Sequence, residues 1–348
     1  MARVLVVEDS QVMAETLVEM VESDESNEVV AVARHGHEAV DLAASRRPDL
    51  ITMDVLLPGL NGLEATKAIM RKSPCPIVMI TSQANNEELE TAFKAFTAGA
   101  LAILEKPQDV FSAQADLFQE NLLAHIRYLG NHKIHQKLKG LFSPIQRSLP
   151  PGIPPSPAQI KYRAIGVSTG LGGPLCLTRL LLYLPTQIPQ FLLVAQRMPR
   201  GFTTGFCRWL AQNTGFPVAM VRDPVVPQSG HVYFAADGGF LEVTDSGHVR
   251  MCQAATGNDE RSGDHLFSSM AEGLGPSAIG VVMSGTGPDG AQGLKAIADA
   301  GGACLAQDDH TSLACEPSLR AQELGAVSQL TSLGQLGSDI LSAAWRAR

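Results

Sequence analysis

The sequence has no run of lysines and arginines, and its 27 basic residues are outnumbered by 35 acidic ones, for a formal net charge of -8. A chain with that balance offers no cationic face to a phosphate backbone, which excludes non-specific nucleic-acid binding. Cysteine is sparse. Cys75, Cys176, Cys207, Cys252, Cys304 and Cys315 stand apart in apolar surroundings without a CxxC pair, a pattern that excludes a disulfide scaffold and reads as reduced core thiols. No apolar stretch reaches the ~20 residues needed to cross a bilayer. The short run Val4–Val7 is too brief for a signal segment and is followed at once by acids. A cytoplasmic protein without membrane insertion is expected, and no fixed-period repeat is present.

At 348 residues the chain is long enough for two domains, each burying its own core. Over residues 1–107, β-rich runs (Arg3–Val7, Glu28–Ala33, Leu50–Met53, Ile77–Thr81, Ala102–Leu104) alternate with amphipathic stretches such as Val12–Val21 and Gly62–Lys72. That alternation predicts a parallel sheet covered on both faces. After Pro107, Leu122, Ile126 and Leu129 recur on one helical face, and this helix is expected to leave the first domain. Pro144, Pro150, Pro151, Pro154, Pro155 and Pro157 then mark an extended linker. The reading is a first domain over 1–107, a helical and proline-rich linker over 108–160, and a second α/β domain over 161–348. In the last, Arg163–Val167, Phe191–Ala195, Val232–Ala235, Ala278–Met283 and Ala303–Ala306 are the expected strands.

Ligands of parallel α/β sheets gather beyond the carboxyl ends of the strands. In the first domain that rim is acidic. Glu8 and Asp9 follow the first strand and Asp54 the third, three carboxylates that repel one another unless a divalent cation sits among them, and Mg²⁺ is the natural occupant. Thr81 and Lys106 add a hydroxyl and an ammonium from the fourth and fifth strands, a set suited to a phosphoryl group. The segments Val7-Glu8-Asp9, Met53-Asp54, Ile80-Thr81 and Glu105-Lys106-Pro107 resemble the receiver domains of two-component signalling. The resemblance implies a flavodoxin-like five-stranded parallel sheet, phosphorylation at Asp54 by a histidine kinase, and Mg²⁺ held by Glu8, Asp9 and Asp54. It also implies a switch in which Thr81 and Lys106 bind the phosphoryl group. The aromatic that many receivers carry three positions before the lysine is Ile103 here.

In the second domain Gly166-Val167-Ser168-Thr169-Gly170 runs a strand into a glycine-rich turn with Ser168 at its tip. Small neighbours permit a strained turn, and the amides at the following helix start are suited to stabilising an oxyanion. A serine that caps the next helix is the plain alternative. Nucleotide binding is less apt, because neither GxGxxG nor a P-loop lysine fits. Three further segments, Met198-Pro199-Arg200-Gly201-Phe202-Thr203, Ser284-Gly285-Thr286-Gly287-Pro288-Asp289-Gly290-Ala291 and Ala306-Gln307-Asp308, resemble in order the CheB family of chemotaxis methylesterases. The resemblance implies a Rossmann-like α/β domain with Ser168 as nucleophile and Asp289 as the acid of the triad. The implied activity removes methyl esters from chemoreceptor glutamates and deamidates receptor glutamines, with the receiver blocking the site until it is phosphorylated.

The family's base is a histidine directly before the Met-Pro pair, and that position is Arg197. A guanidinium stays protonated, with a pKa above ~12, so it cannot take the serine proton. Arg197 is expected to pair with Asp289 instead. Neither His265 nor His310 matches a family catalytic position, and Asp259-Glu260-Arg261-Ser262, Thr286 and Cys315-Glu316-Pro317 depart from the family pattern as well. Three functions remain on the sequence: a phosphorylation-controlled methylesterase with altered catalysis, a pseudoenzyme acting as phosphate sink or gated binding module, and a different serine hydrolase.

Overall fold

In a computed structural model, residues 1–82, 86–109, 112–130, 134, 137, 161–196, 198–199, 201–253 and 261–344 are described. The chain divides into two compact units, Met1–Ser143 and Pro144–Arg348. The proline segment lies outside the described residues.

In the first unit the apolar runs form β1 (Ala2–Val7), β2 (Asn27–Ala33), β3 (Leu50–Asp54), β4 (Ile77–Thr81) and β5 (Ala102–Glu105). They pair in parallel in the order β2-β1-β3-β4-β5, the flavodoxin-like arrangement. Strands β3 and β4 are buried throughout, as a sheet covered on both faces requires. The connecting helices are α1 (Gln11–Glu22), α2 (Gly36–Arg46), α3 (Gly62–Lys72) and α4 (Asn86–Ala98). The Ser10 side chain caps α1 by accepting the Met13 N–H, and Asn61 caps α3 through the Glu64 N–H. Helix α1 buries Met13, Leu17, Met20 and Val21 at helical spacing, each side chain contributing roughly 1.5–3 kcal/mol when fully withdrawn from water.

The helix expected to leave this domain does not. Helix α5 (Ala113–Leu129) packs on α1, β1 and β5, burying Phe118, Leu122, Ile126 and Leu129, and Gln119 donates to Ser23 Oγ at 2.9 Å. Its apolar stripe completes the layer over the sheet, and burying that stripe is worth more than extending it into solvent.

The second unit runs β6 (Ala164–Thr169), α6 (Gly173–Tyr183), β7 (Phe191–Gln196), α7 (Phe202–Thr214), β8 (Val218–Val221) and β9 (Val232–Ala235). A hairpin of β10 (Gly239–Val243) and β11 (Val249–Gln253) follows. Then come α8 (Ser262–Leu274), β12 (Ala278–Val282), α9 (Ala291–Asp299), β13 (Ala303–Ala306), α10 (Glu316–Glu323) and α11 (Leu333–Ala344). Six strands form one parallel sheet in the order β13-β12-β6-β7-β9-β8. The sheet is doubly wound around β6, but β8 lies at the edge outside β9. The half-buried side chains of β8 suit an edge, and the nearly buried β9 an interior place. Strands β8, β10 and β11 are absent from the expectations above.

All six cysteines are free. Burial pushes the Cys176 thiol up to about 11 and those of Cys207 and Cys304 to about 12, so they stay protonated and inert at neutral pH. Among the described residues no helix is long and apolar enough to cross a membrane.

Candidate functional site

The crossovers of the first sheet leave β1 toward β2 on one side and pass to β3 on the other, opening a crevice beyond the carboxyl ends of β1 and β3. Asp54 is the last residue of β3, and Glu8 directly follows β1. Both are buried, at 3% and 1% exposure, whereas Asp9 is exposed. One carboxylate oxygen from each of Glu8, Asp9 and Asp54 lies within 4.8 Å of the others. Lys106 Nζ sits between the two buried acids, 2.7 Å from Asp54 Oδ2 and 2.8 Å from Glu8 Oε2.

Three carboxylates against one ammonium leave two negative charges unbalanced, and the electrostatics register it. Burial, then the charge of Asp54, pushes the Glu8 carboxyl up to about 7 despite Lys106. Burial also raises Asp54 above the ordinary carboxylate range against the pull of Lys106. Burial works against the Lys106 charge, yet Asp54 and Glu8 outweigh it and hold the ammonium above its ordinary value. Asp54 Oδ1 also accepts the Leu56 N–H at 3.2 Å, which aims the carboxylate. Thr81 ends β4, fully buried, and its carbonyl accepts the Lys106 N–H at 2.8 Å, tying two rim residues together. Ile103 is a buried residue of β5.

In the second sheet the corresponding crevice opens between β6 and β12, where the winding reverses. Ser168 lies near the end of β6, 5% exposed, paired with Val282 on one side and Ala195 on the other. It caps no helix: the N-cap of α6 is Gly172, in the left-handed region at φ 75°. The plain alternative for Ser168 is thereby removed. The glycine-rich turn is braced from the segment just after β12, with Gly170 N–H donating to the Ser284 carbonyl at 2.8 Å and Ser284 Oγ donating to the Leu171 carbonyl at 2.7 Å. Gln307 Oε1 accepts the Ser284 N–H at 2.9 Å. Two of the motif residues quoted for the resemblance, Ser284 and Gln307, are thus fasteners of loops.

Two helix starts converge on the serine. A Cβ at Gly263, in the first turn of α8, would stand 2.1 Å from Ser168 Oγ, and one at Gly290, the N-cap of α9, 2.7 Å from it. Any side chain at either position would collide with the hydroxyl. Both helix dipoles point their positive ends at this corner, a setting that favours negative charge developing on oxygen. The same point beside Gly263 is 3.1 Å from Asp289 Oδ2, so Ser168 and Asp289 share one pocket.

Asp289 Oδ2 accepts the Gly263 N–H and its Oδ1 the Asp264 N–H, both at 2.9 Å, while Asp264 Oδ1 accepts the Gly293 N–H at 2.8 Å. The two acids cap each other's helices. Nothing in the sequence signals this pairing except acidic residues at two helix starts. Asp289→Asn replaces one acceptor by a donor facing an N–H, and a loss of about 1–2 kcal/mol is expected in chemical denaturation of the full chain.

Of the family's remaining position, Arg197 and its expected pairing with Asp289 lie outside the described residues, as do Arg200 and Asp259-Glu260. No imidazole hydrogen-bonds Ser168 among the described residues. His310 is exposed. His265 lies two residues beyond Gly263, about 200° round the helix, and bonds instead to Cys252. Glu316 Oε2 accepts the Gly287 N–H at 2.6 Å, so two departures from the family pattern, around Thr286 and Glu316, meet at one loop.

Comparison with known proteins matches residues 4–115 to the response regulator receiver domain and residues 163–340 to the CheB methylesterase. The chain is 37% identical over 341 residues to protein-glutamate methylesterase/protein-glutamine glutaminase 3 of Myxococcus xanthus, covering 97% of this chain and 93% of that protein. It is 32% identical over 344 residues to protein-glutamate methylesterase/protein-glutamine glutaminase 2 of Paramagnetospirillum magneticum, covering 97% and 96% respectively. Among solved structures it is similar to the Thermotoga maritima CheB methylesterase catalytic domain, 23% identical with a TM-score of 0.49, over 52% of this chain and 98% of that one.

Proposed function

The chain belongs to the CheB methylesterase family, with a receiver domain ahead of the methylesterase domain, and from that premise we propose a phosphorylation-gated module that docks on chemoreceptors while its own ester chemistry is silenced at position 197. Its receiver comprises 1–107 completed by α5, and its output domain 161–348, joined by the proline-rich linker. The observation that carries the silencing is the residue itself: Arg197 occupies the family's base position and cannot accept a proton at any physiological pH.

At the receiver, Asp54 Oδ attacks the phosphorus of a phosphohistidine on the kinase. The P–N bond breaks, an acyl phosphate forms, and the departing imidazole takes a proton from solvent. Lys106, held protonated between Asp54 and Glu8, stays with the transferred group, and Thr81 supplies a hydroxyl to it. The residues fit Mg²⁺: Glu8, Asp9 and Asp54 offer hard oxygen donors at one point and carry the unbalanced charge a divalent cation would cancel. When bound, Mg²⁺ neutralises charge on the phosphoryl oxygens. With Ile103 in place of an aromatic, Thr81 and Lys106 are the groups that respond to the phosphoryl group.

A second reading, methylester hydrolysis like that named for the relatives, is favoured by the retained pocket of Ser168, Asp289, Gly263 and Gly290. Methanol release from methylated receptor separates the two. Equal release by wild type and Ser168→Ala, with receptor binding that strengthens on phosphorylation, supports the silent module. Turnover abolished by Ser168→Ala supports the hydrolase.

A further inference from the structure

A second cluster of titratable groups lies on the outward face of the β10–β11 hairpin. Leu241 and Val243 of β10 and Val249 of β11 are buried in the core, so the alternate residues Phe240, Glu242, Arg250 and Cys252 share the other face. From α8, His265 reaches to that face, its ring tilted against Phe240 with centroids 5.6 Å apart. His265 Nε2 is 3.1 Å from Cys252 Sγ and 3.8 Å from Glu242 Oε2. One donor atom from each of Glu242, Cys252 and His265 lies within 4.8 Å of the others.

From this geometry we propose that Glu242, Cys252 and His265 form a binding site for a thiophilic divalent cation of the zinc class. Neighbouring donors around a tetrahedral zinc stand roughly 3.4–3.6 Å apart, and the two measured separations bracket that span. The mixed sulfur, nitrogen and oxygen set distinguishes this site from the all-oxygen cluster of the receiver and selects for zinc over magnesium. The supporting contacts are in place. Arg250 Nη2 donates to Glu242 Oε1 at 2.9 Å, fixing that carboxylate and leaving Oε2 turned toward His265. All three donors are only half-buried, so an ion can enter. Binding would form an S–metal bond at Cys252 and release its thiol proton to solvent. The cation would join three chain segments, β10, β11 and α8. The last begins at the wall of the Ser168 pocket, so occupancy would brace that wall whether or not the serine is hydrolytically active.

The test uses the full chain with Co²⁺ as spectroscopic probe and Zn²⁺ as competitor. A near-ultraviolet thiolate-to-cobalt band is expected, with visible bands of tetrahedral intensity, both displaced by Zn²⁺. Co²⁺ in the receiver cluster has only oxygen donors and gives no thiolate band. Cys252→Ser should abolish that band, and His265→Gln and Glu242→Gln should each weaken binding on the order of tenfold or more. Zn²⁺ should raise the thermal midpoint of wild type more than that of His265→Gln. No thiolate band at saturating Co²⁺, or one that survives in Cys252→Ser, overturns the proposal. If Cys252→Ser fails to fold by circular dichroism, unaltered cobalt affinity in His265→Gln overturns it equally.

Discussion

Arg197→His should raise methyl-ester hydrolysis on the order of 10³-fold or more, the scale on which loss of a triad member depresses serine hydrolases. The hydroxyl of Ser168 cannot attack a carbonyl while it keeps its proton, and a guanidinium cannot accept that proton. Ala195 of β7 pairs with Ser168 of β6 and β7 ends at Gln196, so position 197 is the next residue in sequence after the strand beside the serine. Asp289 is already committed to the amides of α8. A carboxylate oxygen takes more than one hydrogen bond, however, so capping the helix is compatible with orienting an imidazole. Methanol release from methylated receptor measures the gain. Arg197→Gln, neutral but without a basic nitrogen, should stay at the wild-type level, and adding Ser168→Ala to Arg197→His should return the rate to that level. Wild-type turnover that Ser168→Ala abolishes would mean another base serves the serine.

Most of the parallel strands were legible because strands buried on both faces read as mostly apolar runs, such as Leu50–Met53 and Ile77–Thr81. Rim residues follow from strand ends alone, which is how Glu8, Asp54, Thr81 and Lys106 converge from four separated segments. Strand β8 was not legible: its half-buried Val218, Ala219 and Met220 at a sheet edge carry no distinct pattern. Helix α5 was recognised as a helix but assigned away from the domain, since an apolar stripe tells that a surface is covered and not by what. The pocket around Ser168 was half legible. The expected nucleophile and acid, Ser168 and Asp289, sit in motifs, but Gly263 and Gly290 matter only through a collision with a hydroxyl from a distant strand. The mutual capping of Asp264 and Asp289 is likewise a property of two helices side by side. The Glu242, Cys252 and His265 cluster needs the hairpin pairing and the docking of α8 together, and neither is written at any one place in the chain.

Asp54→Asn should abolish phosphorylation by a cognate kinase or a small-molecule phosphodonor, read as complete loss of acid-stable, base-labile label, and chelating Mg²⁺ should deplete the wild-type label to the same end. An amide nitrogen is no nucleophile toward phosphorus, and no other carboxylate at the rim stands at the end of β3. The same substitution should stabilise the fold in Mg²⁺-free buffer. With Asp54 ionised, the buried Glu8 carboxyl is held up at about 7, and Asp54 itself is raised by burial. A carboxyl whose folded value lies above its unfolded one favours the fold at low pH, and that advantage is lost as pH rises through the folded value. Removing the charge of Asp54 relieves this loss, so Asp54→Asn should gain about 1–2 kcal/mol at pH 8, a gain that shrinks as pH falls below about 7. Lys106→Ala should do the reverse. It leaves Glu8 and Asp54 buried without the ammonium now 2.8 Å and 2.7 Å away, and the cost should be greatest at pH 8. Equal stability of Asp54→Asn and wild type across pH 5–8 would mean that the rim is not strained by its own charge. In that case the unbalanced negative charge would no longer support the proposal that this crevice takes up a divalent cation.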